Sequence, residues 1–124
     1  PNSAFIADFI GDANLTDCEI ESTTGGQATV TMQNQSYRVK DGGLSKGPAK
    51  MVLRPHNIKL AAPDQYGIKG EVSYAAYLGK EIQYTVESPL GSMFVIGGIV
   101  AKPFKQGDSV AIQFEAGQAR LVLA

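Results

Sequence analysis

The chain has 124 residues, 44% of them hydrophobic and 19% charged, which is the composition of a folded protein and excludes a disordered one. Its 11 basic and 12 acidic residues leave a net charge of −1, so bulk electrostatics would not draw the chain to nucleic acid. No apolar run reaches the roughly 20 residues of a transmembrane helix, and Cys18, the single cysteine, has no partner for an internal disulfide.

The first predicted element is a short helix over residues 4–10. Apolar side chains between Ala4 and Ile10 recur at helical spacing, Ser3 can cap the helix, and Gly11 can end it. A helix this short is marginal alone in water, so it needs a surface to pack on.

From Leu15 onward, apolar and polar residues alternate with a period of two, which predicts half-buried antiparallel strands. The first half of the chain contains four such segments, at 15–21, 27–33, 36–40 and 51–54. A hairpin-type turn at Gly25-Gly26 separates the first two, and Pro55 is expected to stop the fourth. The polar stretch 41–50 is interpreted as a loop.

The second half continues in the same style. Its predicted strands are 68–78, 81–87, 92–96, 110–114 and 121–123, of which 92–96 is apolar on both faces and is therefore expected to be central. The first of these strands ends at Gly79-Lys80, before the second begins. Residues 88–91 have the composition of a type I turn. About nine short strands and one helix predict a small β-barrel or a pair of small barrel-like modules.

The two halves share a strand–glycine turn–strand opening, over 15–33 and 68–88, which is a hint of internal duplication. The stretch Ala61–Gln65 is the best candidate for a joint between the halves. It contains Pro63 and no apolar alternation.

The sequence contains no complete nucleotide-binding loop of the Walker A type. Gly42 and Gly47 have the glycine spacing of a Walker A loop, but Pro48 follows where the phosphate-binding lysine belongs. Three lysines around this loop remain candidates for binding an anion, and the alternative is an ordinary solvated loop. They are Lys40, Lys46 and Lys50.

No catalytic, cofactor-binding or metal-ligating residues are predicted. His56, the only histidine, is interpreted as a turn residue after Pro55, and Cys18 as a small core residue on an alternating strand. The carboxylates are scattered singly on expected solvent faces, which does not favour paired-carboxylate catalysis.

Aromatic residues in the second half leave one further alternative, an OB-type barrel that stacks single-stranded nucleic acid. Tyr74, Tyr77, Tyr84 and Phe94 are the candidates. However, Tyr84 alternates with apolar neighbours and is more simply a core residue. The basic residues are not clustered on this stretch, so no nucleic-acid partner is expected.

Four local patterns, in the same order along the chain, resemble one family. They are the opening 1–11 with Asn14 close behind, the stretch 51–58 containing Arg54-Pro55-His56, the hairpin Tyr77-Leu78-Gly79-Lys80, and the ending 104–110 containing Gly107-Asp108. Together they resemble the end of the ATPase domain and the C-terminal β-domain of ABC-importer ATP-binding subunits of the maltose, polyamine and iron type. The family usually has a glutamate where this chain has His56.

This resemblance implies a TOBE domain with an OB-like barrel. Residues 1–13 would be the end of the ATPase-domain helix and a connector, and residues 14–124 the TOBE domain. Such a domain is accessory and regulatory, and it helps to hold two ATP-binding subunits together as a homodimer. The chain itself is then no enzyme and binds no cofactor, while ATP and Mg²⁺ belong to the parent ATPase domain.

The resemblance also implies a cytoplasmic location, at the inner face of the plasma membrane, through the membrane subunits of the transporter. Two alternatives stay open beside it. One is a free-standing TOBE module that binds a small oxyanion, and the other is the OB-type binder of single-stranded nucleic acid.

Overall fold

The computed structural model describes residues 13–100 and 102–124. These residues form ten β-strands and two 3₁₀ turns and contain no α-helix, which confirms the mainly β fold class. The strands are β1 (Asn14–Thr24), β2 (Gln27–Met32), β3 (Gln35–Lys40), β4 (Gly47–Leu53), β5 (Ile58–Ala61), β6 (Ile68–Leu78), β7 (Glu81–Ser88), β8 (Gly91–Gly98), β9 (Ser109–Phe114) and β10 (Arg120–Leu123). The helix predicted over residues 4–10 lies outside the described residues.

The chain divides into two compact units. Among the described residues, the first unit comprises 13–53 together with Glu115–Ala124, and its antiparallel sheet has the strand order β10-β4-β1-β2-β3. Its edge strands β3 and β10 contact each other, so the sheet curls into a small barrel. Ile20, Val30 and Met51 are fully buried inside it, because alternate residues of each strand face the same side.

The second unit, Arg54–Phe114, contains the antiparallel sheet β5-β9-β6-β7-β8. Its edge strands β5 and β8 are again in contact, and the first 3₁₀ turn, Pro55–Asn57, packs on β8. Ile82, Val86 and Ile112 are among its fully buried core residues. Each unit is therefore a five-stranded antiparallel barrel of OB-like kind.

The first hairpin of each barrel has the same register. Ile20 lies opposite Val30 in the β1–β2 hairpin, and Val72 lies opposite Val86 in the β6–β7 hairpin. A β-bulge follows Ile20 in one hairpin and Val72 in the other. A bulge is a specific feature of a strand pair rather than a random defect, so its recurrence confirms the internal duplication that the sequence suggested.

The duplicated repeats, β1–β5 and β6–β10, exchange their fifth strands. β5 follows β4 along the chain but pairs with β9 in the second sheet, and β10 follows β9 but pairs with β4 in the first. Lys59 and Arg120 each lie two residues beyond a 3₁₀ turn, opposite Gln113 and Val52 respectively. Each of these partners is the penultimate residue of its strand. The exchanged strands β5 and β10 therefore pair with β9 and β4 in the same register.

Two expectations from the sequence need correction here. The stretch Ala61–Gln65 separates the repeats along the chain, but the compact units divide after Leu53 and after Phe114. The polar stretch 41–50 is a loop only in its first part, because β4 begins at Gly47 and its polar residues line the surface of the sheet. In addition, the sequence did not predict strand β5, which follows directly after the 3₁₀ turn that begins at Pro55.

The turn between β2 and β3 holds two non-glycine residues in left-handed conformation, Gln33 at φ 50° and Asn34 at φ 62°. The left-handed region costs an ordinary residue roughly 1–2 kcal/mol, and glycine avoids this cost. Glycine also loses more conformational entropy on folding, which offsets part of the gain. We expect Gln33→Gly to raise the free energy of unfolding by roughly 0.5 kcal/mol in urea titrations. The control Gln27→Gly, within β2, should lower it, and a loss of stability in Gln33→Gly would contradict the prediction.

Candidate functional site

The residues Arg54-Pro55-His56 form the entry to the second unit. Pro55 is buried and begins the first 3₁₀ turn, while Arg54 and His56 are exposed on either side of it. The backbone N–H of Asn57 donates to the carbonyl of Arg54 at 2.9 Å and closes the turn. His56 is thus a turn residue after Pro55, as the sequence indicated.

The hairpin Tyr77-Leu78-Gly79 carries an exposed apolar tip. Gly79 takes φ 71° in the two-residue turn, and Tyr77 and Leu78 are 57% and 52% exposed. Leu78 lies opposite Glu81, which in turn lies opposite Gly98 at the end of β8. Two further exposed residues, Ile99 and Val100, follow there. We call Tyr77, Leu78, Ile99 and Val100 the apolar tip.

Gly107 and Asp108 have a structural position at the β6 bulge. The N–H of Gly107 donates to the Val72 carbonyl at 2.8 Å, and the Val72 N–H donates to the Asp108 carbonyl at 2.9 Å. The Asp108 carboxylate accepts a hydrogen bond from the Lys105 N–H at 3.0 Å, which closes the turn before β9. These bonds attach the turn to the sheet at the bulge.

The three candidate anion-binding lysines have different surroundings. Lys50 lies in β4 and its Nζ donates to the Asp17 carboxylate of β1 at 2.6 Å. Lys46 is exposed just before β4, and Lys40 ends β3. Lys40 lines a cleft.

The cleft that Lys40 lines lies in the first unit, between the end of β3 and the second 3₁₀ turn, Ala116–Gln118, with β10. It measures about 370 Å³, and Gly42, Gly117 and Arg120 also line it. We call it the basic cleft. Sequence reasoning missed Arg120, which no motif marks and which only the exchange of β10 brings to Lys40.

A second cleft occupies the equivalent place in the second unit, between β8 and the first 3₁₀ turn with β5. It measures about 350 Å³ and is lined by His56, Lys59 and Gly98 together with Tyr84, Ile96 and Phe104. Ile96 of β8 is equivalent to Lys40 of β3, because each is the sixth residue of its strand. We call it the apolar cleft, because hydrophobic side chains replace the lysine.

Tyr84 belongs to the core of the second unit. Its side chain is only 5% exposed, and burial raises its pKa, although a hydrogen bond with the Phe104 backbone acts in the opposite direction. Of the four aromatic residues considered for base stacking, Tyr74 and Tyr77 are exposed. They lie opposite Thr85 and Ile82, on different faces of β6, and therefore do not form one stacking platform.

Cys18 is a buried core residue of β1, as the alternation predicted. Burial first, and then the neighbouring Asp17 and Glu19 charges, raise the pKa of its thiol from 9.0 to about 11, while Lys50 acts against them. A thiol reacts as its thiolate, so this environment makes Cys18 unreactive at neutral pH.

We expect a thiol-specific disulfide reagent at about pH 8 to modify Cys18 at least about a hundredfold more slowly in the folded protein than in urea. A pKa raised in the folded state favours folding below the unfolded value, and this contribution is lost as the pH rises from 9.0 toward about 11. Cys18→Ala should remove that part of the pH dependence. Equal rates of modification in folded and unfolded protein would contradict the expectation.

Within residues 13–100 and 102–124, no three His, Cys, Asp or Glu side chains are grouped as a metal ion requires. The same residues contain no helix that is long and apolar enough to cross a membrane. Their buried side-chain nitrogen and oxygen atoms all have hydrogen-bond partners.

Comparisons with known proteins agree on one family. The family model of the TOBE domain matches residues 51–122. Over 115 aligned residues the chain is 36% identical to the Fe(3+) ions import ATP-binding protein FbpC 1 of Rhizobium meliloti, covering 93% of the chain and 33% of the relative. It is 32% identical to the spermidine/putrescine import ATP-binding protein PotA 2 of Pseudomonas aeruginosa, covering 94% and 36%. The chain thus spans about a third of the length of these relatives.

Among solved structures, the fold is similar to that of ModG, a cytoplasmic molybdate-binding protein crystallised with molybdate bound. The superposition covers 90% of this chain and 96% of ModG with a TM-score of 0.73. At 12% sequence identity, the likeness establishes a shared fold.

Proposed function

Because this chain belongs to the TOBE domain family, we propose that it is the accessory domain of an ATP-binding subunit of an ABC importer. The observation that carries the proposal is the 36% identity to an iron importer ATP-binding protein across 93% of this chain. Because the match takes up only 33% of that relative, the remainder of the parent protein has room for a nucleotide-binding domain. ATP and Mg²⁺ would bind in that remainder.

The role of the domain would be to stabilise the dimer of ATP-binding subunits and to bias it between its states. The apolar tip supports a contact function, because Tyr77 and Leu78, consecutive residues at the end of β6, are both more than half exposed. Through the membrane subunits of the importer, the domain would act at the cytoplasmic face of the plasma membrane.

The test uses the full-length product of the gene that encodes this chain, with a deletion of residues 14–124 for comparison. We expect the full-length protein to hydrolyse ATP, the 124-residue chain alone to show no hydrolysis, and the deletion to bind ATP but dimerise less. ATP hydrolysis by the isolated chain, or a reading frame without a nucleotide-binding domain, would overturn the proposal.

A surface variant tests the role of the apolar tip in the same full-length protein. Tyr77→Ser combined with Leu78→Ser should weaken ATP-dependent dimerisation in sedimentation experiments. Tyr66→Ser is the matched control, because Tyr66 is exposed and lies outside the apolar tip. Equal dimerisation of both variants would remove the tip from the proposed interface.

A second candidate function is a small-oxyanion-binding TOBE module. It is supported by the fold shared with ModG, whose structure contains molybdate. Calorimetric titration with molybdate and sulfate tests it. Saturable heat with either anion would favour it, and no heat with both would end it.

A further inference from the structure

Within the described part of the chain, no acidic side chain forms an ion pair with either of the two cationic side chains of the basic cleft. Lys40 and Arg120 line it from opposite sides, one at the end of β3 and the other at the start of β10. Among the residues that the structure describes, the recorded ion pair is Lys50 with Asp17, on β4 and β1. Two unpaired cations that share one concave site attract an anion, because their mutual repulsion is relieved when it binds.

The backbone fixes the position of this cleft. The Asp41 N–H, next to Lys40, donates to the Gly26 carbonyl at 3.0 Å, and the Gly43 N–H donates to the Asp41 carboxylate at 2.9 Å. A Cβ atom on Gly42 would lie 3.5 Å from the Leu121 carbonyl, so the loop passes close to β10. The second 3₁₀ turn contacts β3 as well. Little ordering of the backbone would therefore be needed for binding.

We propose that the basic cleft binds the phosphate group of a small organic phosphate ester. An arginine fork can donate two parallel hydrogen bonds to phosphate oxygens, and a lysine adds a point charge beside it. The volume of about 370 Å³ falls within the range of sites for small organic molecules and exceeds what a bare tetrahedral anion fills. Ala119 and Leu121 in the lining give the organic part of the ester an apolar contact.

The apolar cleft of the second unit is a built-in comparison. It has nearly the same volume and the same place in the fold, but Ile96 replaces Lys40 and Lys59 replaces Arg120. A single exposed lysine on an apolar wall lacks both the paired charge and the guanidinium fork. The apolar cleft should therefore not bind the ester, although it is formed by the equivalent strands and 3₁₀ turn of the second unit.

The experiment is an NMR titration of the ¹⁵N-labelled chain with glycerol 3-phosphate, inorganic phosphate and sulfate at constant ionic strength. We expect saturable chemical-shift changes of the Gly42 and Gly117 amide signals. Glycerol 3-phosphate should bind at least about tenfold more tightly than inorganic phosphate. Lys40→Met and Arg120→Met should each weaken binding about tenfold or more, because hydrogen bonds to charged groups are lost.

Matched controls separate a built site from general attraction. Lys46→Met removes an equal charge outside the cleft, and Lys59→Met removes the equivalent residue of the second unit; each should change affinity less than about twofold. Arg120→Lys keeps the charge but loses the fork, so it should bind more weakly than the natural chain and more tightly than Arg120→Met. Shifts that do not saturate, a Lys46→Met effect equal to that of Lys40→Met, or equal affinity for inorganic phosphate would each overturn the proposal.

Discussion

Gly67→Ala is expected to lower the free energy of unfolding by about 3 kcal/mol or more, as the sum of steric overlap and backbone strain. Gly67 takes φ +133°, a conformation that residues with a Cβ rarely adopt. An added Cβ would lie 2.6 Å from the Ile112 carbonyl oxygen and 3.1 Å from its carbon. Backbone atoms in the centre of a sheet cannot move away as a flexible side chain can, so the clash is not relieved locally.

Urea unfolding, followed by far-UV circular dichroism, measures this loss. Gly98→Ala is the control, because Gly98 has no positive φ and an added Cβ there would meet no atom within 4 Å. Its stability should change by less than about 0.5 kcal/mol. A Gly67→Ala loss as small as that of Gly98→Ala would show that the carbonyl of Ile112 is not fixed in place.

The second large effect concerns two equivalent core residues of the duplicated barrels. Met51 in β4 and Ile112 in β9 lie between two neighbouring strands of their sheets and are 0% and 1% exposed. Truncation leaves a cavity in a close-packed interior, so Met51→Ala and Ile112→Ala should each cost about 3 kcal/mol of unfolding free energy.

Leu123→Ala is the comparison for these truncations, because Leu123 lies on β10 but is 63% exposed. It should cost less than about 1 kcal/mol. Thermal and urea denaturation of the three variants give the values. The expectation would be wrong if either core variant lost no more stability than Leu123→Ala.

Most of the strands could be predicted from the sequence, because a half-buried strand shows its inner face directly as alternation. Ile20, Val30 and Val86, each predicted on an inner face, are fully buried in the structure. The predicted turn at Gly25-Gly26 is also present, with φ of 60° and 81°. Local chemistry determines such features within a few residues, so no knowledge of the rest of the chain is required.

What could not be predicted depends on contacts far apart in the chain. β5 has only four residues, and its pairing with β9 is not visible in its own sequence. The basic cleft shows the same limit. Lys40 could be singled out by its glycine-rich loop, whereas Arg120 reaches it only because β10 joins the first sheet. One further clue was present in the sequence, since Arg120 occupies the position in the second repeat that Lys59 has in the first.

The exchange of fifth strands also sets an order for folding during synthesis. The second barrel has all of its strands once Phe114 has left the ribosome, but the first lacks β10 until residues 120–123 emerge. The barrel that is started first is therefore completed last, and until then β3 and β4 expose unpaired edges to neighbouring nascent chains. Closing it pairs Arg120 with Val52 and Leu123 with Ala49, residues more than half of the chain apart, and such distant contacts slow folding.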